Sequence, residues 1–169
     1  MSKSHSGKCR SIRIEMRTPI AAPQKRVWKA LVRETWNWWP HQIVMNPKAR
    51  RIVIEPRLGG RVLEDWGGGG GLVWWNVVGL RTGSWLELAG QMLPEMGGPA
   101  TSLARILLKP DGRRTTVHIV DCLYGAVEKE ADRQIRGGWK ALMDALKAYA
   151  EKATSARTTT RPRPRRRRR

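Results

Sequence analysis

The chain has 169 residues, with 33 Lys and Arg against 14 Asp and Glu, and a formal charge of +19. That length gives one ordinary domain, burying roughly 70% of its unfolded surface, so neither disulfides nor metals are needed as staples. Cys9 and Cys122 are too few and too far apart for a disulfide framework or a zinc knuckle. The polar, basic segment 1–10 has no apolar stretch of the secretory type, and no apolar run approaches the ~18 residues of a membrane span. A reduced, soluble, cytoplasmic protein is expected.

The charge is uneven. Eight arginines and no acids fall in 154–169, and without them 25 basic and 14 acidic residues leave +11. The remainder stays basic through Lys25, Arg26, Lys29 and Arg33, and through Lys48, Arg50 and Arg51. Such a field favours anionic partners without saying anything about fold. Aromatic usage is skewed to nine Trp, two Tyr and no Phe. Indole takes the place of phenyl in the core, and its N–H wants a partner when buried.

In chain order, Ile12, Ile14 and Met16 alternate with Arg13, Glu15 and Arg17, which predicts a half-buried strand over 11–17 ended by Pro19. Pro23 suits the start of a helix. Val27, Trp28 and Leu31 then share a face, and a second short helix holds Trp36, Trp38 and Trp39 before Pro40. From residue 50 the period becomes two. Six further strands are predicted at about 51–56, 60–66, 71–79, 84–91, 101–109 and 114–123, punctuated by glycine- and proline-rich turns such as Pro110-Asp111-Gly112. Residues 128–153 read as one amphipathic helix, with Trp139, Leu142, Met143, Leu146, Tyr149 and Ala150 on one side. The order strand, two helices, six strands, long helix predicts an α+β domain over 11–153: a curved antiparallel sheet wrapped round the last helix. It is preceded by a flexible arm, 1–10. It is followed by a tail, 154–169, too poor in apolar residues to offset its ordering entropy.

Three pieces of the chain, in this order and spacing, resemble the SRPBCC superfamily, the START and birch-pollen-allergen-like helix-grip proteins. They are Ile20-Ala-Ala-Pro23 with Val27 to Leu31 and Trp38-Trp39, Leu58-Gly59-Gly60 with the glycine hairpin after Trp66, and Gly138-Trp139 with Leu142, Leu146, Lys147 and Tyr149. The branch it is most similar to is the C-terminal domain of the activator of heat-shock protein 90 ATPase. The resemblance covers about residues 11–152. It implies a seven-stranded sheet and a cavity between sheet and long helix that takes lipids, polyketides or other apolar or aromatic small molecules. It also admits a chaperone partner. It carries over no catalytic set and implies no cofactor. Where many relatives place a His or Glu near the end of the last strand, this chain has Asp121.

The candidate chemistry follows from residue types. Gly67 to Gly71 lacks the Gly-Lys-Ser/Thr ending and the helix of a phosphate loop, so it reads as a hairpin turn. His5, His41 and His118 have no second ligand at metal spacing, so no metal site is predicted. Glu64, Asp65, Arg105 and Asp121 are polar residues inside strands. An inward carboxylate in an apolar cavity would have a raised pKa and could act as acid or base, whereas an outward one is merely solvated. Asp121, His118 and Glu64 are the candidates for catalysis. Trp28, Trp39 and Trp139 fit core packing. The cavity set is Trp38, Trp66, Trp74, Trp139, Leu142, Met143 and Leu146. Of the adjacent pair Trp74 and Trp75, alternation sends one inward and the other out. Arg161, Arg163, Arg165, Arg166 and Arg167 read as a polyanion binder, salt-sensitive and blind to sequence. The leading expectation is a binding module for an apolar or aromatic small molecule. The alternatives are a polyketide cyclase or dehydratase, and a co-chaperone-like or nucleic-acid-associated protein working through its basic surface.

Overall fold

The structure, a computed structural model, describes residues 9–127 and 130–159, with side chains to residue 152. The expected arm ahead of residue 9 and the tail arginines Arg161, Arg163, Arg165, Arg166 and Arg167 lie outside the described residues.

Among the described residues seven strands form one antiparallel sheet: β1 (Arg10–Ile20), β2 (Arg51–Ile54), β3 (Arg61–Gly67), β4 (Gly70–Arg81), β5 (Trp85–Met92), β6 (Ala100–Asp111) and β7 (Arg114–Gly125). Their order is β1-β7-β6-β5-β4-β3-β2, so every neighbour after β1 is a hairpin partner and the first strand closes beside the last. Helix α1 (Gln24–Arg33) follows β1, and the long helix α2 (Ala131–Thr159) follows β7. This is the helix-grip α+β architecture expected from the sequence. No helix among the described residues is long and apolar enough to cross a membrane.

The two-residue period places Leu86, Leu88 and Met92 of β5, Ala104, Ile106 and Leu108 of β6, and Val117, Ile119 and Leu123 of β7 on the face towards α2, all buried. α2 answers with Trp139, Leu142, Met143, Leu146 and Ala150, and α1 with Val27, Trp28 and Leu31. These apolar faces cannot be hidden separately, which is why the sheet curls over the helix.

Three local expectations are corrected and one holds. Pro19 does not end β1, which runs to Ile20; it is the first strand in the sheet order, and an edge strand tolerates a residue without an N–H. The second short helix is only two single turns, Thr35–Asn37 and His41–Ile43. There Thr35 Oγ1 donates to the Leu31 carbonyl (2.7 Å) and completes the exit from α1. The last helix does not stop at 153 but continues to Thr159, since propagating an established helix fixes little per bond gained. The run Gly67 to Gly71 is a hairpin turn as read, with Gly67, Gly68 and Gly69 at φ of 80°, 62° and 83°, a region side chains avoid.

At the seam between the helices, Glu34 binds Arg26 (2.5 Å) and Lys29 (2.9 Å). Partial burial raises its carboxyl, but the hydrogen bonds from Lys29 and Arg26 outweigh this and bring it to about 2. The Arg26 guanidinium also lies 4.9 Å over the ring of Tyr149 on α2.

Candidate functional site

Between α2 and the β4–β7 part of the sheet lies a cavity of about 220 Å³. Its walls are apolar: Trp74 and Trp75 from β4, Met92 from β5, Leu123 from β7, and Trp139 and Leu142 from α2. Gln91 and Gln134, both exposed, mark its mouth, with Ile43 and Met96 beside them. It is lined by the early turns of α2, from Gln134 to Leu142, rather than by the stretch to Tyr149.

One carboxylate faces this space. Asp121 is 1% exposed, on the inward series Thr115, Val117, Ile119, Asp121, Leu123 of β7. Ser102 Oγ donates to its Oδ1 at 2.7 Å and the Trp139 indole N–H to its Oδ2 at 2.8 Å. Ser102 in turn accepts from the Trp75 indole N–H at 2.9 Å. The chain Trp75–Ser102–Asp121–Trp139 therefore ties β4, β6, β7 and α2 together round the cavity. Burial pushes the Asp121 carboxyl up, and the bonds from Trp139 and Ser102 only partly oppose that. Each of its oxygens accepts one neutral donor, and a carboxylate has about four lone-pair sites, so capacity remains for a guest. Ionised, the group accepts from a donor; protonated, it can give a proton to an acceptor.

Two backbone features make this geometry. Val62 pairs with Trp75 while Leu63 pairs with Val73, so Trp74 is an extra residue in β4, a bulge. The strict alternation that would send Trp74 and Trp75 to opposite faces is broken. Both indoles line the cavity, stacked with centroids 5.9 Å apart, and Trp75 lies 5.6 Å from Trp139. The expectation of one inward and one outward Trp is corrected by that insertion. The second feature is Gly90. The register runs Trp75, Gly90, Ser102 across three strands, and the missing side chain on β5 lets the Trp75 ring pass over to β6.

The remaining sequence candidates scatter. Trp74, Trp139 and Leu142 line the cavity. Trp38 is buried deeper, its indole N–H on the Ala30 carbonyl at 2.8 Å, and with Met143 it borders a separate void of about 20 Å³. Leu146 is fully buried in the core between helix and sheet, and Trp66 is 37% exposed at the far end of β3. Neither lines the cavity. Glu64 does point inward and is fully buried, but its carboxylate is consumed locally. It accepts from the backbone N–H groups of Met45 (2.9 Å) and Asn46 (2.8 Å) and from the Trp66 indole (2.8 Å). It fastens the loop before β2 rather than serving as an acid or base in the cavity. His118 is on the opposite face of β7, 2.9 Å from Glu15 of β1, so it cannot act on a cavity guest. Asp65 also faces out, held below the usual carboxylate range by the Gly67 N–H and Arg51. Among the described residues no group of three or more His, Cys, Asp or Glu is placed to hold a metal.

Sequence reading missed Ser102 and Trp75. Ser102 was findable: it is the one hydroxyl in the inward series Ala100, Ser102, Ala104, Ile106, Leu108. Trp75 was not, because nothing in Leu72-Val-Trp-Trp-Asn76 announces a bulge.

No family model and no curated protein matches the sequence. Solved structures do. An uncharacterised protein from Rhizobium leguminosarum superposes with a TM-score of 0.65 at 17% identity, over 86% of this chain and 97% of that one. An AHSA1-like protein from Aeromonas hydrophila gives 0.59 at 16%, over 85% and 94%. A norcoclaurine synthase point mutant from Thalictrum flavum, in complex with a transition-state analogue, gives 0.53 at 12%, over 87% and 98%. These likenesses establish the fold: the chain is a helix-grip protein.

Proposed function

We propose that the protein binds a small apolar or aromatic molecule, about one substituted ring in size, between the sheet and α2. The observation that carries this reading is a single buried carboxylate, Asp121, set in a cavity wall made largely of indole and aliphatic surface. Ligand sites have this composition: apolar walls for affinity, a few placed polar groups for orientation. Size limits the guest. An apolar cavity of 150 Å³ accommodates benzene, so by proportion 220 Å³ takes about nine heavy atoms. A lipid chain or a polyketide of several rings would have to project past Gln91 and Gln134. Native mass spectrometry of the full chain from cell extract, against the denatured mass, tests this. A discrete added mass lost on denaturation is expected. A clean apo mass, together with undisturbed Trp75 and Trp139 indole resonances on titration with single-ring compounds, would remove it.

A second reading is favoured by the same carboxyl. Asp121 is pushed up by burial and has lone-pair capacity left, which suits general acid–base catalysis on a bound guest. One protein of the same fold, the norcoclaurine synthase, is an enzyme captured with a transition-state analogue. Turnover lost in Asp121→Asn with guest binding retained would support it; turnover retained would end it.

A further inference from the structure

We propose that the guest is a protonated amine carried on an aromatic or compact apolar skeleton, with its ammonium group on Asp121. The inference rests on the cavity-binding reading above and names the ligand class.

Three properties of the cavity combine. The first is charge. Among the described residues that line it, only Asp121 is charged or titratable. The groups facing it are Ser102 and Ala104 of β6, Ile14 of β1 and Trp139 of α2, none of which titrates. Among the described residues no Lys, Arg or His pairs with it. A buried carboxylate held only by neutral donors has hydrogen bonds but no countercharge, and an ammonium supplies both. A phenol or alcohol supplies a hydrogen bond and leaves the charge uncompensated.

The second is the indole surface. Trp74, Trp75 and Trp139 follow one another at centroid spacings of 5.9 Å and 5.6 Å along the wall. A cation within about 6 Å of an indole face is attracted by the ring quadrupole, most where water is excluded. Trp139 turns its N–H edge to Asp121, so the attraction is available to a guest cation that reaches the face of one of these rings.

The third is the contrast with the rest of the molecule. The chain carries +19 overall, a field that draws anions to its surface. The cavity has the opposite preference. A carboxylic acid guest would meet Asp121 with no cation among the described lining residues to receive it. Surface charge is screened over about 8–10 Å at physiological salt, so the local carboxylate decides what is held.

The test is calorimetric titration of the full chain with benzylamine, ethylbenzene and benzoate, the first two being equal in heavy atoms. At pH 8 benzylamine is expected to bind at least about tenfold more tightly than ethylbenzene, with benzoate weakest; tenfold corresponds to about 1.4 kcal/mol. Lowering the pH through the Asp121 titration should collapse the benzylamine advantage, because the amine keeps its charge while the carboxylate takes up a proton and loses its own. The ethylbenzene affinity should stay level. Asp121→Asn should abolish the preference, and the wild-type pH series stands independently should that variant fold poorly. Equal or tighter binding of ethylbenzene at pH 8 overturns the amine assignment and leaves the cavity reading intact. So does a benzylamine preference that ignores both pH and Asp121→Asn. Binding of none of the three overturns both.

Discussion

The Trp75 indole lies against the bare backbone of Gly90: a Cβ built there would stand 2.5 Å from Trp75 Cδ1 and would also collide with the Trp74 carbonyl oxygen. Gly90 therefore acts as a gap in β5 through which a β4 side chain reaches Ser102 on β6. Gly90→Ala is expected to push the ring aside, break the bond to Ser102 and cost about 1–3 kcal/mol, the usual penalty of overpacking. Chemical denaturation and the Trp75 indole resonance report this. Wild-type stability with an unmoved resonance would show that the gap is not needed.

Trp139→Phe keeps an aromatic ring on α2 but removes the N–H given to Asp121 Oδ2. That bond lowers the carboxyl against the larger upward effect of burial, so its loss should raise the Asp121 titration further. Carbon-detected NMR of the carboxyl measures it, and Ser102→Ala should act in the same direction. A downward move in either variant would contradict the hydrogen-bonded arrangement.

Asp121 also sets a pH dependence opposite to that of most carboxylates. Its folded value is raised, so the folded state binds the proton more tightly than the unfolded chain. Its contribution to stability is present below the unfolded value of about 3.9 and is lost as pH rises through the folded value. Asp121→Asn has no such loss. Between pH 4 and pH 8 wild type should therefore lose stability relative to the variant, as read by paired thermal melts. A difference constant with pH would exclude a raised folded value.

Glu64 makes a separate structural demand. Its two oxygens take three N–H donors, two from the backbone of the Met45-Asn46 loop and one from Trp66. Glu64→Gln replaces one acceptor oxygen with a donor, so at least one part-buried N–H loses its partner at a cost of about 1 kcal/mol. Hydrogen exchange at the Met45 and Asn46 amides should accelerate. Unchanged protection there would mean that the loop is held by something else.

Most of the sheet was legible because burial on one face writes a period of two into sequence. Ile14 in β1, Leu86 and Leu88 in β5, and Val117 and Ile119 in β7 are all inward as alternation requires. The same regularity marks Asp121 and Ser102 as polar intruders in apolar series. The long helix was equally plain from the spacing of Trp139, Leu142, Leu146 and Ala150. Its limits were misread: the helix begins at Ala131 rather than 128, and propagation past residue 153 leaves no apolar signature.

The cavity was not legible in the same way, since it depends on relations between strands. A bulge is one residue too many relative to a partner, and Val62 and Leu63 must be set opposite β4 before Trp74 becomes the extra one. Glu64 and Asp121 look alike in sequence: each is a single inward acid in a strand. Backbone amides from a loop nearly twenty residues upstream and the Trp66 indole occupy the first, away from the cavity, while the second takes two donors beside it. By itself the sequence determined the run of alternating strands and the helix that the sheet grips, and it offered Glu64, Asp65, Arg105 and Asp121 as polar residues within strands, because these follow from local periodicity. Only the tertiary structure decided that Trp75 turns inward, that Gly90 lets it cross to Ser102, and that Asp121 rather than Glu64 or His118 faces a guest. Those outcomes depend on register and on close approach between distant segments, which no local pattern encodes.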